Sequence, residues 1–118
     1  MDTISYSIKI VLLGEEKFFG PGTVMLLQNV DSTHSLLAAS KQMSLSYSKA
    51  TAMVKNAETH LGFKLLHSRT GGTSGGGSEL TPEARDVIRL YGQFVQDVTK
   101  CADEHFETLK SHLQNLNP

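Results

Sequence analysis

At 118 residues, 39% of them hydrophobic, the chain can bury one modest core, which excludes a second domain of ordinary size beside the first. A formal net charge of -1 presents no overall basic surface to a polyanion, and a single cysteine, Cys101, excludes both an intrachain disulfide framework and a zinc ribbon. The apolar run at residues 6–14 contains Lys9, is too short to span a bilayer and follows no basic segment, so the default expectation is a cytoplasmic protein without a membrane partner.

The charge is unevenly spread. Residues 1–31 carry Lys9 and Lys17 against Asp2, Glu15, Glu16 and Asp31, and residues 86–118 carry three bases against five acids, so each end sums to -2. Between them, Lys41, Lys49, Lys55, Lys64, Arg69 and Arg85 face only Glu58, Glu79 and Glu83, a net +3. An acidic partner, if there is one, meets the middle of the chain.

In chain order, residues 4–13 are rich in Ile, Val, Tyr and Leu, and "GEEK" has turn character before "KFF", which predicts a first hairpin. Gly20, Pro21 and Gly22 break the chain. Val24, Leu27 and Val30 then recur at helical spacing, with Leu26 on the flank, and predict a helix of about three turns. Ser32, Thr33 and Ser35 are candidate caps for a short second helix marked by Leu36, Ala39 and Met43. After a tight break at "MSLS", with Ser44 or Ser46 as cap, a third helix places Ala50, Val54, Ala57 and Leu61 on one apolar stripe. Its opposite face offers Ser46, Tyr47, Ser48, Lys49, Thr51, Lys55 and Thr59, with Glu58 alone negative near the far end. Two short helices joined by a tight turn, the second with a polar, basic and acid-poor face, are what a helix-turn-helix requires.

Gly62 is placed to end the third helix in a left-handed cap, "FKLLHSR" has strand character, and "SELT" can return beside it. Between them "RTGGTSGGGSEL" holds five of the ten glycines in the chain. It has no lysine, so it cannot be a Walker-type phosphate cradle, and only one helical segment follows it, too little for a tethered domain. A hairpin tip, or wing, remains: glycines allow tight turns and close approach to phosphates, while Arg69, Thr70, Thr73 and Ser74 supply donors.

Thr81 can cap a last helix, Pro82 suits its first position and Glu83 favours its dipole, and no further proline occurs before Pro118, so roughly 30 residues of helix are expected. Ala84, Ile88, Tyr91, Val95, Val98 and Ala102 alternate 4 and 3 apart, and Phe106, Leu109, Leu113 and Leu116 continue the stripe after one residue of drift. Such a seam wants a partner helix, most simply from a second copy; packing against the first hairpin of the same chain is the alternative. Cys101, His105 and His112 lie on this helix at turn spacing, but histidines on exposed flanks are ordinarily not ligands, and no metal or cofactor is expected. No nucleophile, base and acid can be argued to converge, which speaks against an enzyme.

The run "LLAASKQMSLSYSKATAMVKNAETHLGFKLLHSRTGGTSGGGSELTPEARDVIRLY" resembles the amino-terminal domain of the molybdate-responsive ModE regulators, within the wider LysR-like set. "SYSKA", "GGTSGGG" and "LT" carry the likeness, which spans about residues 4–95; where the family commonly has Trp, this chain has Thr51. The resemblance implies a mainly α fold with small β hairpins: a winged helix-turn-helix with a long C-terminal dimerisation helix, a homodimer, and an operator in double-stranded DNA as ligand. It does not reach the family's molybdate-binding domains, so it implies no small-molecule ligand. The expected layout is a hairpin plus winged helix-turn-helix over residues 1–81 and a dimerisation helix over 82–118, forming one structural unit. Tyr47, Ser48 and Lys49 are expected to read base edges with Thr51 beside them, Ser46 and Lys55 to hold phosphates, and Arg69, Thr70, Thr73 and Ser74 to touch the sugar-phosphate or minor groove. Ile88, Tyr91, Val95, Val98, Ala102, Phe106, Leu109 and Leu113 are the expected dimer seam. The competing reading is a winged-helix module that docks another protein and binds no DNA.

Overall fold

The structure is a computed structural model that describes residues 3–69 and 77–117. In chain order it contains β1 (Leu12–Leu13), β2 (Lys17–Phe19), α1 (Pro21–Thr33), α2 (Leu36–Gln42), α3 (Tyr47–Leu61), β3 (Leu66–Arg69), β4 (Gly77–Leu80) and α4 (Pro82–Leu116). Each strand pair is a separate antiparallel hairpin. Among the described residues no helix is long and apolar enough to cross a membrane.

α2, α3 and α4 each start at a side chain that accepts from an orphan N–H group of the first turn, whereas α1 starts without such a cap. Pro21 opens α1 because its missing N–H would have had no acceptor there. Ser35 caps α2 by accepting from the Ala38 amide at 3.0 Å, Ser46 caps α3 from Lys49 at 3.0 Å, and Thr81 caps α4 from Ala84 at 3.0 Å. α1 and α3 stop at left-handed residues. Gly62 ends α3 at φ 86 with its N–H on the Glu58 carbonyl, as its lack of a Cβ favours, and His34 ends α1 at φ 58. Ser44 takes φ 56 inside the α2–α3 turn, which is why Ser46 and not Ser44 does the capping.

The core gathers Phe19 from β2, Leu26, Leu27 and Val30 from α1, Leu36 and Ala39 from α2, Ala50, Val54 and Ala57 from α3, then Leu65, Leu80, Ala84 and Tyr91. Ala39, Ala50 and Ala57 have no exposed surface. With methyl groups at those positions, α2 and α3 can approach closely enough to act as one rigid pair. Ser40 is equally buried and stays satisfied by donating to the Leu37 carbonyl at 2.7 Å.

The first hairpin is shorter than its sequence suggests. Only Leu12 and Leu13 pair, with Phe19 and Lys17, through a register irregularity. The returning strand ends at Phe19 because Gly20 and Pro21 start α1, so residues 3–11 have no strand to pair with. They run beside α4 instead. The Tyr91 hydroxyl donates to the Ile10 carbonyl at 2.6 Å, and its ring meets Phe19 edge-on at 5.2 Å. Burial pushes the Tyr91 phenol above its ordinary pKa. Further along, Tyr6 packs on Phe106 at 4.9 Å between centroids and hydrogen-bonds the Asp103 carboxylate, which raises its pKa to about 12.

Of the expected dimer seam, Tyr91 is buried within its own chain. Ile88 and Val95 also pack on that core, and Phe106 lies under Tyr6. Val98, Ala102 and Leu113 are half-buried and Leu109 is open. The apolar surface left free on α4 includes Leu90 and Phe94, 58% and 49% exposed, which lie one turn apart and beside the expected seam.

Candidate nucleic-acid interface

Burying Ala50, Val54 and Ala57 fixes which side of α3 is open. The helical repeat of 100° per residue puts Ser48, Ala52, Lys55 and Thr59 opposite that stripe, and all four are exposed. Lys49 flanks them on one side, with Met53 and Asn56 below it; Tyr47 and Thr51 flank the other. The structure therefore gathers Ser46, Tyr47, Ser48, Lys49, Thr51 and Lys55 around one exposed surface at the start of α3. Two of the hydroxyls are already engaged. Ser46 Oγ accepts from the Lys49 amide, and Thr51 Oγ1 donates to the Tyr47 carbonyl at 2.9 Å. Neither the Ser48 hydroxyl nor the Tyr47 phenol has a side-chain hydrogen bond among the described residues, so these two hydroxyls of the set are free to bind. Ala52 and Asn56 were missed by the sequence reading, which looked for polar groups on one face and so passed over a central methyl group and a flanking amide.

The electrostatics of this surface depend on Glu58, the acid nearest to it. Glu58 Oε2 accepts from the Leu65 amide at 2.8 Å, and Oε1 lies 3.8 Å from Lys64 Nζ. Only 12% of its side chain is exposed, so its charge is spent on starting the strand that follows. Lys49 and Lys55, by contrast, have no carboxylate within 4.0 Å among the described residues. Positive charge dominates the open face.

The second hairpin stands beside the Tyr47 flank. β3 and β4 pair in register from Leu66 with Leu80 to Arg69 with Gly77, and the Ser78 amide donates to the His34 carbonyl at 2.9 Å, tying the hairpin to the end of α1. Thr81 fixes its base: the amide donates to the Leu65 carbonyl at 3.0 Å and the hydroxyl to the Lys64 carbonyl at 2.7 Å. A groove of about 590 Å³ runs between α2, α3 and this hairpin, lined by Ser35, Leu37, Tyr47, Ser68 and Ser78. Arg69 ends β3; Thr70, Thr73 and Ser74, the other expected wing contacts, lie outside the described residues.

A two-helix unit with a short left-handed turn, an open basic face on its second helix and a hairpin at its side is a winged helix-turn-helix. The family model described as "Bacterial regulatory helix-turn-helix protein, lysR family" matches residues 23–85, more than half of the chain, and the chain belongs to that family. It is 31% identical over 99 residues to the molybdenum-pterin-binding protein MopB of Rhodobacter capsulatus, covering 84% of this chain and 35% of that protein. It is 30% identical over 98 residues to the transcriptional regulator ModE of Yersinia pestis, covering 83% and 36%. The chain thus spans about a third of the length of the curated relatives it matches. Among solved structures, the DNA-binding domain of CbnR, determined in complex with DNA, is similar with a TM-score of 0.53 at 20% identity, covering 70% of this chain and 90% of that one, a likeness of fold.

Proposed function

We propose that this chain is the DNA-reading part of a transcription regulator, and that it binds a palindromic operator as a homodimer. The observation that carries the reading is the open face of α3: hydroxyls and two lysines free of carboxylates, with the nearby acid turned away into its own fold. Family membership and curated relatives named as regulators support it. In this reading Ser48, Tyr47 and Lys49 meet base edges, with Thr51 beside them, and Lys55 and Ser46 hold phosphates. The Ala52 methyl group at the centre of the face is suited to a thymine methyl. Arg69, Thr70, Thr73 and Ser74 serve the sugar-phosphate beside the half-site. No reaction chemistry is assigned to the chain.

Dimerisation belongs to α4. Leu90 and Phe94 leave an apolar surface on a helix whose other side is already covered, and a second copy related by two-fold symmetry covers it with the same surface. Leu109, and the partly covered Val98, Ala102 and Leu113, extend the contact along the helix. The two recognition helices then meet half-sites about 34 Å apart or a multiple of that distance.

The test is selection from a randomised duplex pool at two salt concentrations, with a Lys49→Glu, Lys55→Glu double variant as control. Enrichment of a palindromic motif that the variant fails to enrich is the expected result. A folded dimer that enriches nothing at either salt overturns the reading and leaves the same surface to a protein partner.

A further inference from the structure

Lys9, Lys17 and Lys49 come from three separate parts of the chain, the extended amino-terminal segment, β2 and the first turn of α3, yet they line a single cavity of about 290 Å³. Its walls include Val11, Phe19 and Met53, and among the described residues no carboxylate lines it, although Glu15 and Glu16 stand in the adjoining β1–β2 turn. None of the three lysines has a carboxylate within 4.0 Å among the described residues. The first turn of α1 borders the same cavity through Gly22 and Thr23; it holds no acidic residue and has no side-chain cap, so its unpaired N–H groups add partial positive charge. Cations collected without counter-charges repel one another, and an anion seated among them removes that cost.

The position of the cavity indicates the source of the anion. Asn56 Nδ2 donates to the Lys17 carbonyl at 3.2 Å, and Phe18 stacks on His60 at 4.8 Å, so β2 is docked along the Lys49 side of α3. The β3–β4 hairpin stands on the Tyr47 side. A helix inserted in a major groove about 12 Å wide has a phosphate strand along each of its flanks. We propose that Lys9 and Lys17, in the cleft they share with Lys49, clamp phosphodiester groups of the DNA strand on the Lys49 side of α3, which makes the amino-terminal segment and β2 a second phosphate-holding element opposite the wing while Lys49 stays with the base edges. The proposal rests on α3 reading DNA and adds a contact surface that the helix-turn-helix does not itself supply.

The experiment measures the salt dependence of affinity for the selected duplex with the full chain, a Lys9→Gln, Lys17→Gln variant, and a Lys100→Gln, Lys110→Gln variant that removes the same charge from α4. Losing two phosphate contacts per protomer, four on the dimer's operator, lowers the slope of log K against log salt by about 4 and weakens binding by well over about tenfold at moderate salt, with the preferred motif unchanged. A Lys9→Arg, Lys17→Arg variant keeps the slope, and hydroxyl-radical footprinting loses protection beside the half-site only in the glutamine variant of the hairpin. A hairpin variant that binds with the wild-type slope, or that loses no more than the α4 variant, overturns the clamp while leaving the DNA reading intact. Absence of any selected duplex for the wild-type chain overturns both.

Discussion

α3 and α4 are both amphipathic helices packed on one core, but they leave opposite kinds of surface uncovered. In α3 the side chains given to the core are mostly small, and the open face carries hydroxyls and lysines. In α4 the core and the amino-terminal segment cover one side, and Leu90, Phe94, Leu109 and Leu116 remain open. A polar, positive surface is stable in water and gains from a polyanion; an apolar one gains only from another apolar surface. The two faces therefore call for different partners, and substitutions on one should leave the partner of the other in place.

The largest expected effect is at α4. A Leu90→Glu, Phe94→Glu variant should sediment as a folded monomer and lose on the order of a hundredfold in operator affinity, because two half-site contacts are no longer linked. A variant that remains dimeric moves the interface off this surface. Next is Leu65→Ala, which opens a cavity in a fully buried site and should cost about 3 kcal/mol in urea unfolding, whereas Leu116→Ala, 78% exposed, should change stability by less than about 0.5 kcal/mol. Comparable losses at the two positions would mean that the end of α4 is covered after all.

Smaller effects sharpen the description of α3. Lys55→Gln should weaken binding to all sequences alike and lower the salt slope by about 1 per half-site, about 2 for the dimer, while Ser48→Ala should leave the slope and relax the preferred motif at one position of each half-site; titrations over a panel of duplexes separate them. Ser46→Ala should cost about 1 kcal/mol of stability through its cap on the Lys49 amide. The smallest is a pH effect between α1 and α4. Arg85 grips Asp31 with two hydrogen bonds, of 2.8 and 3.2 Å, and holds its carboxyl below the ordinary value of 3.8. A lowered folded-state pKa means that the contribution is present at neutral pH and lost as pH falls through that value. Asp31→Asn should therefore flatten the stability profile slightly between about pH 5 and about pH 3; both side chains are about half exposed, so the change is small.

Much of the architecture was legible because it depends on neighbours in sequence. Ser46, Gly62, Thr81 and Pro82 announce helix ends through groups they satisfy within a few residues, and Ala50, Val54 and Ala57 announce a face through their spacing. What the spacing of α4 could not tell was which neighbour covers the stripe. Ile88, Tyr91 and Val95 do share a face, but the neighbour is the chain's own core, and Tyr91 is held there by a carbonyl 81 positions away. The same limit hid the cluster of Lys9, Lys17 and Lys49, and made residues 4–11 look like a strand when no partner strand exists beside them.

Thr81 joins three things in one residue: the start of α4, the close of the second hairpin, and, through the Leu65 and Lys64 carbonyls, the segment that leaves α3. Mechanically it is a clamped fulcrum. The 35-residue rod that begins there is about 52 Å long, so a tilt of roughly 5° at its seat sweeps the far end through about 4.5 Å. Seen from that far end, the gearing runs in reverse: a coarse displacement there becomes a fine adjustment of the angle at which the helix-turn-helix is held.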